Sequence, residues 1–585
     1  MKEVKVKFNL IENYYCCLLF PIAGIIFTTI MLIWELFTDI DLVFINRLII
    51  VYICSICLAI INFIICLCVS KNTKKYAIFY KEYFFINETK LSSVKSLAKQ
   101  TAIYGVSNML AKFLNWLLVP LYTHVLTSTA DYGVVTNLYA WVALLLVILT
   151  YGMETGFFRF ANKEDADSGK VYGTVMLCVF STSLLFAIGA NVFSDSLAAL
   201  LDYRGHSDWV AIMCTIIAID AFSCIPFAHL RFRKQAGRFA MLKFVNVLVN
   251  IAANLFFLVL CPYLYKQNPD WVSWCFSPEN MVSYVFWSNL ISTVFILVCL
   301  VPEMKYATGF DSKLLKKILA YSLPLLVLGI AGIMNQTLDK IIFRYLFEDK
   351  DFADGQVGIY GACFKISMVM MVFTQAFRYA YEPYVFAQSK ESGDKKHEYA
   401  LAMKFYFISS LLIFLGMVFY LDILKVLIHS SYWEGLAIVP VILLSYVFQG
   451  VYFNLSIWYK LIDKTYWGAI LSLIGLVITV VINVLFVPTY SYYASAGASL
   501  VCFTVLTLVS YLLGQKYYKV DYDLKSLGLY LGVALLMYYV STLIPKDNMV
   551  VYYIAVTVML VAYLALLFKR DLPVKRVPVI GKFFR

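Results

Sequence analysis

The hydrophobic positions of the chain fall into long blocks separated by short polar segments. Each block is about 20 residues long, which is the length of helix that crosses the hydrocarbon core of a bilayer. Two N-terminal spans are predicted near 15–38 and 46–70. Fourteen more are predicted near 101–123, 132–155, 171–192, 209–229, 239–262, 281–302, 316–338, 357–384, 403–424, 435–458, 466–487, 493–515, 526–545 and 549–568. The pattern predicts an all-α polytopic membrane protein with sixteen spans.

The predicted loops alternate between rich and poor in Lys and Arg. Residues 71–99 contain seven Lys, whereas the next loop, 124–131, contains neither Lys nor Arg. The alternation continues to the basic tail that runs from Lys569 to Arg585. Since positively charged loops stay on the cytoplasmic side, both termini are predicted to face the cytoplasm.

Composition agrees with a membrane protein and argues against other classes. The chain has 585 residues, of which 62% are hydrophobic and 14% charged. Ordinary soluble domains are about half apolar and a quarter charged. The net charge of +12 comes from Lys and Arg clustered in loops, so membrane orientation explains it and we expect no nucleic-acid partner.

Sequence motifs for catalysis are absent. The chain contains no Walker A, GxSxG or HExxH motif and only five His, so we expect no enzyme activity, no cofactor and no metal. Most of the fourteen Cys lie in apolar blocks, where Cys behaves as a small hydrophobic residue. Cys261 and Cys275 are the only pair near one predicted outer loop, which leaves a disulfide there as an open alternative.

The chain repeats weakly at an offset near 228 residues. The matches are Lys112 with Lys340, Gly133 near Gly358, Glu154 with Glu382, and Asn254 with Asn483 at an offset of 229. Six spans separate each pair, and an even number preserves orientation. The sequence therefore predicts two six-helix lobes in a parallel repeat, an arrangement that usually places the substrate path between the lobes.

This repeat gives four predicted domains. They are an N-terminal extension at 1–94 with two transmembrane helices and a basic linker, an N-lobe at 95–310, a C-lobe at 311–520, and two C-terminal helices with a basic tail at 521–585.

Polar residues recur inside several predicted spans. In the first core span, Asn108, Lys112 and Asn115 belong to one helix face, together with Thr101 and Gly105. A charge at mid-membrane costs at least about 2.5–3.5 kcal/mol, so such residues usually face a cavity or a partner. A similar stripe with Lys243 in the span 239–262 is explained equally well by a cavity and by a structural role, in which Lys243 snorkels and the Asn residues of the stripe hydrogen-bond between helices.

The seventh and eighth core spans add further charges. The seventh carries Asp339, Lys340 and Arg344, and the eighth carries Lys365, Arg378 and Glu382. Arg378 and Glu382 are four residues apart and can pair along a helix. Because Lys and Arg form strong charge-assisted bonds to phosphate, these cations predict a phosphate-bearing substrate. The candidate substrate-binding residues are Asn108, Lys112, Asn115, Lys340, Arg344, Lys365 and Arg378, with Asp339, Glu154 and Glu382 as candidates for charge pairing or ion coupling.

Several stretches in the chain from about 95 to 570 resemble one family. These are SLAKQTAIYGVSNML, ADYGVV at 130–135, IPFAHLRFRKQAGRFAMLK at 225–243 with Arg231, LDKIIFRYLF at 338–347 with Asp339, and INVLFVPTYSYYASAGAS at 482–499 with Asn483, Pro488, Gly497 and Ala498. In order and spacing they are similar to the bacterial polysaccharide and O-antigen repeat-unit flippases of the multidrug/oligosaccharidyl-lipid/polysaccharide exporter superfamily. Residues 1–94 lie outside this family pattern.

The resemblance implies a transporter of the bacterial cytoplasmic (inner) membrane that works by alternating access. Its substrate would be an undecaprenyl-pyrophosphate-linked oligosaccharide for O-antigen, lipopolysaccharide or capsule synthesis. The implied partners are this lipid-linked oligosaccharide, membrane lipids, and a polysaccharide polymerase and glycosyltransferases.

Three other functions stay open at the level of sequence. A cation-coupled multidrug exporter of the same superfamily would bind cationic substrates, which Lys112, Lys340 and Arg378 would repel. A polysaccharide polymerase or ligase typically has a large outer loop, and none is predicted here. The third alternative is a structural scaffold.

Overall fold

The structure is a computed structural model that describes residues 112, 114–126, 128–163, 167–388, 396–462 and 464–571. The helices of this part, numbered in chain order, are α1 (Leu118–Val125), α2 (Thr129–Thr150), α3 (Met153–Ala161), α4 (Ser168–Val192), α5 (Ser194–Leu200), α6 (Ser207–Phe232), α7 (Ala236–Leu255), α8 (Cys261–Gln267), α9 (Met281–Leu300), α10 (Ser312–Ile341), α11 (Phe343–Leu346), α12 (Lys350–Ile366), α13 (Met368–Gln388), α14 (Lys396–Phe419), α15 (Leu421–Leu424), α16 (Val439–Leu455), α17 (Ile457–Leu461), α18 (Tyr466–Tyr490), α19 (Tyr492–Tyr517), α20 (Leu524–Leu543) and α21 (Met549–Arg570). Short 3₁₀ turns and one π-helical turn, Phe256–Leu260, complete these elements.

The predicted all-α polytopic class is confirmed. Twelve helices in the described ranges are long and apolar enough to cross a membrane, and the bent pair of α12 and α13 is a thirteenth candidate. They correspond to thirteen of the fourteen predicted core spans. Only the end of the first core span falls within the described residues, as α1. The two predicted spans near 15–38 and 46–70 lie outside them.

Two predicted spans contain breaks that the sequence analysis missed. The predicted span 132–155 is interrupted between α2 and α3, because Tyr151 (φ 31°) and Gly152 (φ 70°) both adopt left-handed conformations that end the first helix. The predicted span 357–384 is bent by 50° where α12 meets α13. At this bend the Lys365 carbonyl accepts a hydrogen bond from the Trp116 indole (2.6 Å), an inserted side chain of the kind that kinks helices.

Helices α2 and α12 approach each other unusually closely because glycines line their contact. A Cβ atom on Gly133 would overlap the backbone of Asp354, and one on Gly358 would overlap the backbone of Thr129. Small residues allow membrane helices to pack backbone to backbone. This contact joins the predicted N-lobe to the predicted C-lobe.

Among the described residues, 250–284 form one compact unit and the others form a second. Within the larger unit, a buried carboxylate holds α6 and α7 to the end of α9. Glu303 is fully buried, receives the Arg238 guanidinium, and lies 3.3 Å from the His229 ring nitrogen. Such a buried charge is tolerated only when it is paired.

Candidate functional site

The centre of the candidate site is a buried ion pair on α10. The Lys340 ammonium lies 2.9 Å from both carboxylate oxygens of Asp339, and the two residues are 8% and 4% exposed. The Tyr360 hydroxyl of α12 donates a second strong bond to Asp339, at 2.6 Å. The Lys340 ammonium also donates to the Gln336 carbonyl at 3.1 Å. The positive charge of Lys340 is therefore matched by its neighbour in this conformation.

Lys365 adds a positive charge to this centre. It lies at the end of α12, just before the bend, and is close enough to Lys340 for the two ammonium groups to repel each other. No carboxylate among the described residues pairs with Lys365. The group formed by Asp339, Lys340 and Lys365 consequently carries one net positive charge inside a membrane span.

Arg344 lies in a network at the Lys-poor end of the molecule, which is the end formed by the predicted loops that contain few Lys and Arg. The network closes this end in the present conformation. Its guanidinium pairs with Asp354 and donates to the Asp202 carbonyl, and it stands 3.9 Å from the centre of the Tyr203 ring. Lys350 forms a second ion pair with Asp202, at 3.0 Å. Arg344 was predicted to bind substrate, but at 5% exposure it is buried between the predicted lobes in this conformation.

This network reaches the central ion pair through Tyr203 and Asn137. The Tyr203 hydroxyl donates to the Asn137 side-chain oxygen at 3.2 Å, and the Asn137 amide donates to the Lys340 carbonyl at 2.7 Å. Burial and the nearby Asp354 carboxylate raise the pKa of Tyr203 well above its usual value. Tyr203 therefore stays protonated and remains a donor. A continuous chain of bonds links the Lys-poor end to Lys340.

Two further ion pairs occupy matching positions in the sequence repeat. Glu382 lies 2.9 Å from Arg378 and 2.7 Å from Lys460. Glu154 pairs with Arg231. Glu382 follows Glu154 by 228 residues, and Lys460 follows Arg231 by 229. The pair Glu382–Lys460 in the predicted C-lobe therefore repeats the pair Glu154–Arg231 in the predicted N-lobe, at the offset of the internal repeat.

Arg378 and Glu382 also line a small cleft within the predicted C-lobe. Its other walls include Thr374, Tyr406 and Asn454. The side-chain oxygen of Asn454 is buried and has no hydrogen-bond partner among the residues that the structure describes, so the cleft contains an acceptor that none of them uses.

The remaining predicted residues lie apart from this centre or outside the described residues. Lys112 is exposed and pairs with no carboxylate of the described part of the chain. Asn115 is exposed as well. Asn108 lies outside the described residues.

The sequence analysis missed Asp220, the only acidic residue inside the apolar stretch of α6 after its first turn. Its carboxylate is hydrogen-bonded by Thr293 and interacts electrostatically with Lys243 of α7. The Lys243 ammonium also lies 4.1 Å from the centre of the Phe227 ring. The sequence signal that could have identified Asp220 is a single Asp within the apolar run AIMCTIIAIDAFSC at 211–224. Among the described residues, no group of three or more His, Cys, Asp or Glu side chains is arranged to hold a metal.

Comparison with known structures supports the fold. A structure described as lipid II flippase MurJ in an inward closed conformation aligns with 80% of this chain and 98% of its own, with a TM-score of 0.62 and 13% identity. An inward-facing multidrug resistance MATE family transporter of the MOP superfamily aligns with 73% of this chain and 96% of its own, with a TM-score of 0.51 and 13% identity. At this identity the likeness concerns the fold.

Sequence comparison gives the family. No curated protein sequence gives a significant match. The family model described as polysaccharide biosynthesis protein matches residues 97–387, which cover nearly all of the predicted N-lobe and of the charged helices α10, α12 and α13. Residues 97–387, just under half of the chain, belong to the polysaccharide biosynthesis protein family.

Proposed function

We propose that the chain is a flippase that moves an undecaprenyl-pyrophosphate-linked oligosaccharide from the inner to the outer leaflet of the bacterial cytoplasmic membrane, for synthesis of a surface polysaccharide such as O-antigen or capsule. The observation that carries the proposal is the positive charge of Lys365 beside the Asp339–Lys340 pair, with no carboxylate partner in the described part of the chain. An unpaired ammonium inside a span is costly unless an anion or water shares its site.

A pyrophosphate is the kind of anion that this site fits. It carries several negative oxygens, and ammonium and guanidinium groups form short charge-assisted bonds to phosphate. Lys365 would bind the pyrophosphate directly. Lys340 would join it when Asp339 releases one of its two contacts. Arg378 and Lys112 would extend the cationic lining, with Asn108 and Asn115 available for the sugars.

The relatives support the same reading. The family is described by polysaccharide biosynthesis, and one protein of the same fold is described as a flippase of lipid II. The first description names a polysaccharide, and the second names the flipping of a lipid. A flippase for a lipid-linked glycan unites them.

In this mechanism no covalent bond changes. The sugars and pyrophosphate would cross through a polar path while the lipid tail stays in the bilayer. The network of Arg344, Asp202, Lys350 and Asp354 would keep the outer end closed until the substrate is bound. Release to the outer leaflet would then require this network and the glycine contact of α2 with α12 to open. Glu154 and Glu382 would hold the neighbouring cations in place between transport cycles.

A cation-coupled multidrug exporter is the second candidate, because a MATE transporter shares the fold. Cationic drugs require available carboxylates. In this chain Asp339 is paired with Lys340, and Asp220 interacts with Lys243. Since both acids already have lysine partners, the flippase function is favoured.

The proposed orientation places both termini in the cytoplasm, and residues 1–94 would be peripheral to transport. Glycosyltransferases would supply the substrate at the inner face. A polysaccharide polymerase would consume it at the outer face.

Complementation separates the two candidates. The full chain is expressed in a strain that lacks its O-antigen flippase, and surface polysaccharide and intracellular lipid-linked oligosaccharide are measured. The flippase function predicts restored polysaccharide and a fall in the accumulated intermediate. A parallel growth assay with cationic drugs in an exporter-deficient strain should show no added resistance. Resistance without restored polysaccharide would reject the flippase in favour of the exporter.

A further inference from the structure

The segment that follows α7 folds back on itself within the unit formed by 250–284. Cys261 is the first residue of α8, and Cys275 follows the 3₁₀ turn Pro269–Trp271. The amides of Cys275 and Phe276 both donate to the Val272 carbonyl, at 3.0 and 2.8 Å. This turn reverses the chain, so that Phe276 packs on the Tyr265 ring of α8 at 5.8 Å and the neighbouring Cys275 comes within interaction range of Cys261.

An aromatic frame fixes this arrangement. The Tyr284 ring stacks on Phe257 at 5.2 Å and on Phe276 at 5.3 Å. The Tyr284 hydroxyl accepts a hydrogen bond from the Ser277 amide at 2.6 Å. Residues just after Cys275 are therefore anchored. Cys261 itself is fully buried. The fold consequently holds the segments that carry the two cysteines next to each other.

We propose that Cys261 and Cys275 form a disulfide on the outer side of the membrane. The proposal goes beyond the transport function and rests on the orientation given above. The segment between α7 and α9 contains one basic residue, Lys266 near the end of α8, which is typical of an outer loop. The outer compartment of bacteria is oxidising, so two adjacent thiols there are expected to be joined. The disulfide would join two side chains that the fold already brings close together.

The reaction is a thiol–disulfide exchange with a disulfide oxidant, such as a protein thiol oxidase or oxidised glutathione. Cys275 is partly exposed and reacts first. Its thiolate attacks the oxidant, forms a mixed disulfide and releases one thiol of the oxidant. The Cys261 thiolate then attacks the Cys275 sulfur and releases the second thiol. The two cysteines lose two protons and two electrons, and the oxidant gains them.

The disulfide would close a ring that includes the turn with Trp271 and Trp274. These side chains are 58% and 81% exposed. Exposed Trp at the end of a span is typical of a membrane–water interface. The bond would therefore fix the part of the loop that presents both indoles to this interface.

Mass spectrometry tests the proposal on the full chain. Membranes from cells with an active periplasmic thiol oxidase are denatured in N-ethylmaleimide and digested with trypsin. Trypsin cuts after Lys266, so the disulfide joins the peptide 244–266 to the peptide 267–305. We expect this joined species to dominate, to disappear in Cys261→Ser and Cys275→Ser, and to be absent from a strain without the oxidase. The matched control Cys299→Ser, in the same second peptide, should retain it.

Full alkylation of both cysteines in the oxidase-positive strain would overturn the proposal. Labelling of Asp270→Cys by a membrane-impermeant maleimide in intact cells then identifies the cause. If this exposed position is labelled, the orientation holds and only the disulfide fails. If it is not labelled, the orientation fails as well.

Discussion

Removing the Lys340 ammonium should destabilise the protein because it strands a buried carboxylate. In Lys340→Met, Asp339 loses two contacts of 2.9 Å and keeps only the 2.6 Å bond from Tyr360. At an effective dielectric constant of 20, a charge pair at this distance interacts by about 6 kcal/mol. Desolvation offsets part of this value. Breaking a buried ion pair by removing one partner costs about 3–5 kcal/mol.

The double variant Asp339→Asn with Lys340→Met tests whether the cost comes from the stranded charge. It removes both charges of the pair, and Asn can still accept the Tyr360 bond. Replacing both members of a buried pair is often nearly neutral. We therefore expect the single variant to have the lowest melting temperature, and the double variant to recover most of the loss.

The assay is thermal unfolding of the purified protein in detergent, followed by size-exclusion chromatography with fluorescence detection. Surface polysaccharide is measured for the same variants. If Lys340 also binds substrate, the double variant is stable but transports poorly. A Lys340→Met protein that melts with the wild type would refute the reasoning about the ion pair.

Three further predictions concern other parts of the molecule. Gly358→Val should lower transport because its side chain would force α2 and α12 apart. The control Gly416→Val should not, because a Cβ atom there would meet no other atom within 4 Å. Cysteine accessibility at the Lys-poor end of the molecule tests for both variants whether the two helices have separated. Hydrogen bonds from Ser526 lower the pKa of Asp523, so the stability that this carboxylate contributes should be complete above its ordinary pKa of about 3.9 and lost as the pH falls further. Melting curves between about pH 6 and 3 should show this loss in the wild type and not in Asp523→Asn. Glu303→Ala should cost about 1–3 kcal/mol, because the Arg238 guanidinium and the buried His229 ring lose their common partner, and thermal unfolding measures this loss.

Hydropathy predicted the spans well and their interruptions poorly. The predicted span 209–229 matches α6, which is a few residues longer at both ends, and 466–487 matches α18, which begins at the predicted residue and is a few residues longer at its C-terminal end. The breaks at Tyr151 and near Lys365 went unpredicted because apolar composition continues through both. A left-handed residue and an inserted indole are conformational events that a hydropathy average does not record.

Some ion pairs of the candidate site could likewise be predicted from the sequence, and others could not. The Arg378–Glu382 pair follows from a spacing of four residues on one helix, and it was anticipated. The pairing of Arg344 with Asp354 was not, because the two residues belong to different helices joined by a turn. Asp202 likewise comes from a loop, and only the folded chain brings it to Lys350. Local periodicity predicts which charges share a helix face, whereas tertiary structure decides which of them remain unpaired.

The most direct test of the proposed function is flipping by the purified full chain in proteoliposomes. A lipid-linked oligosaccharide with an undecaprenyl-pyrophosphate carrier is supplied on one leaflet, and its arrival on the other is followed with a glycan-modifying enzyme that cannot cross the membrane. Loss of one charge-assisted bond is worth about 1.5–3 kcal/mol, so Lys365→Ala should slow flipping by about ten- to hundredfold. Lys365→Arg should recover part of the rate, and the exposed control Lys525→Ala should match the wild type. Flipping by Lys365→Ala at the wild-type rate would contradict the account.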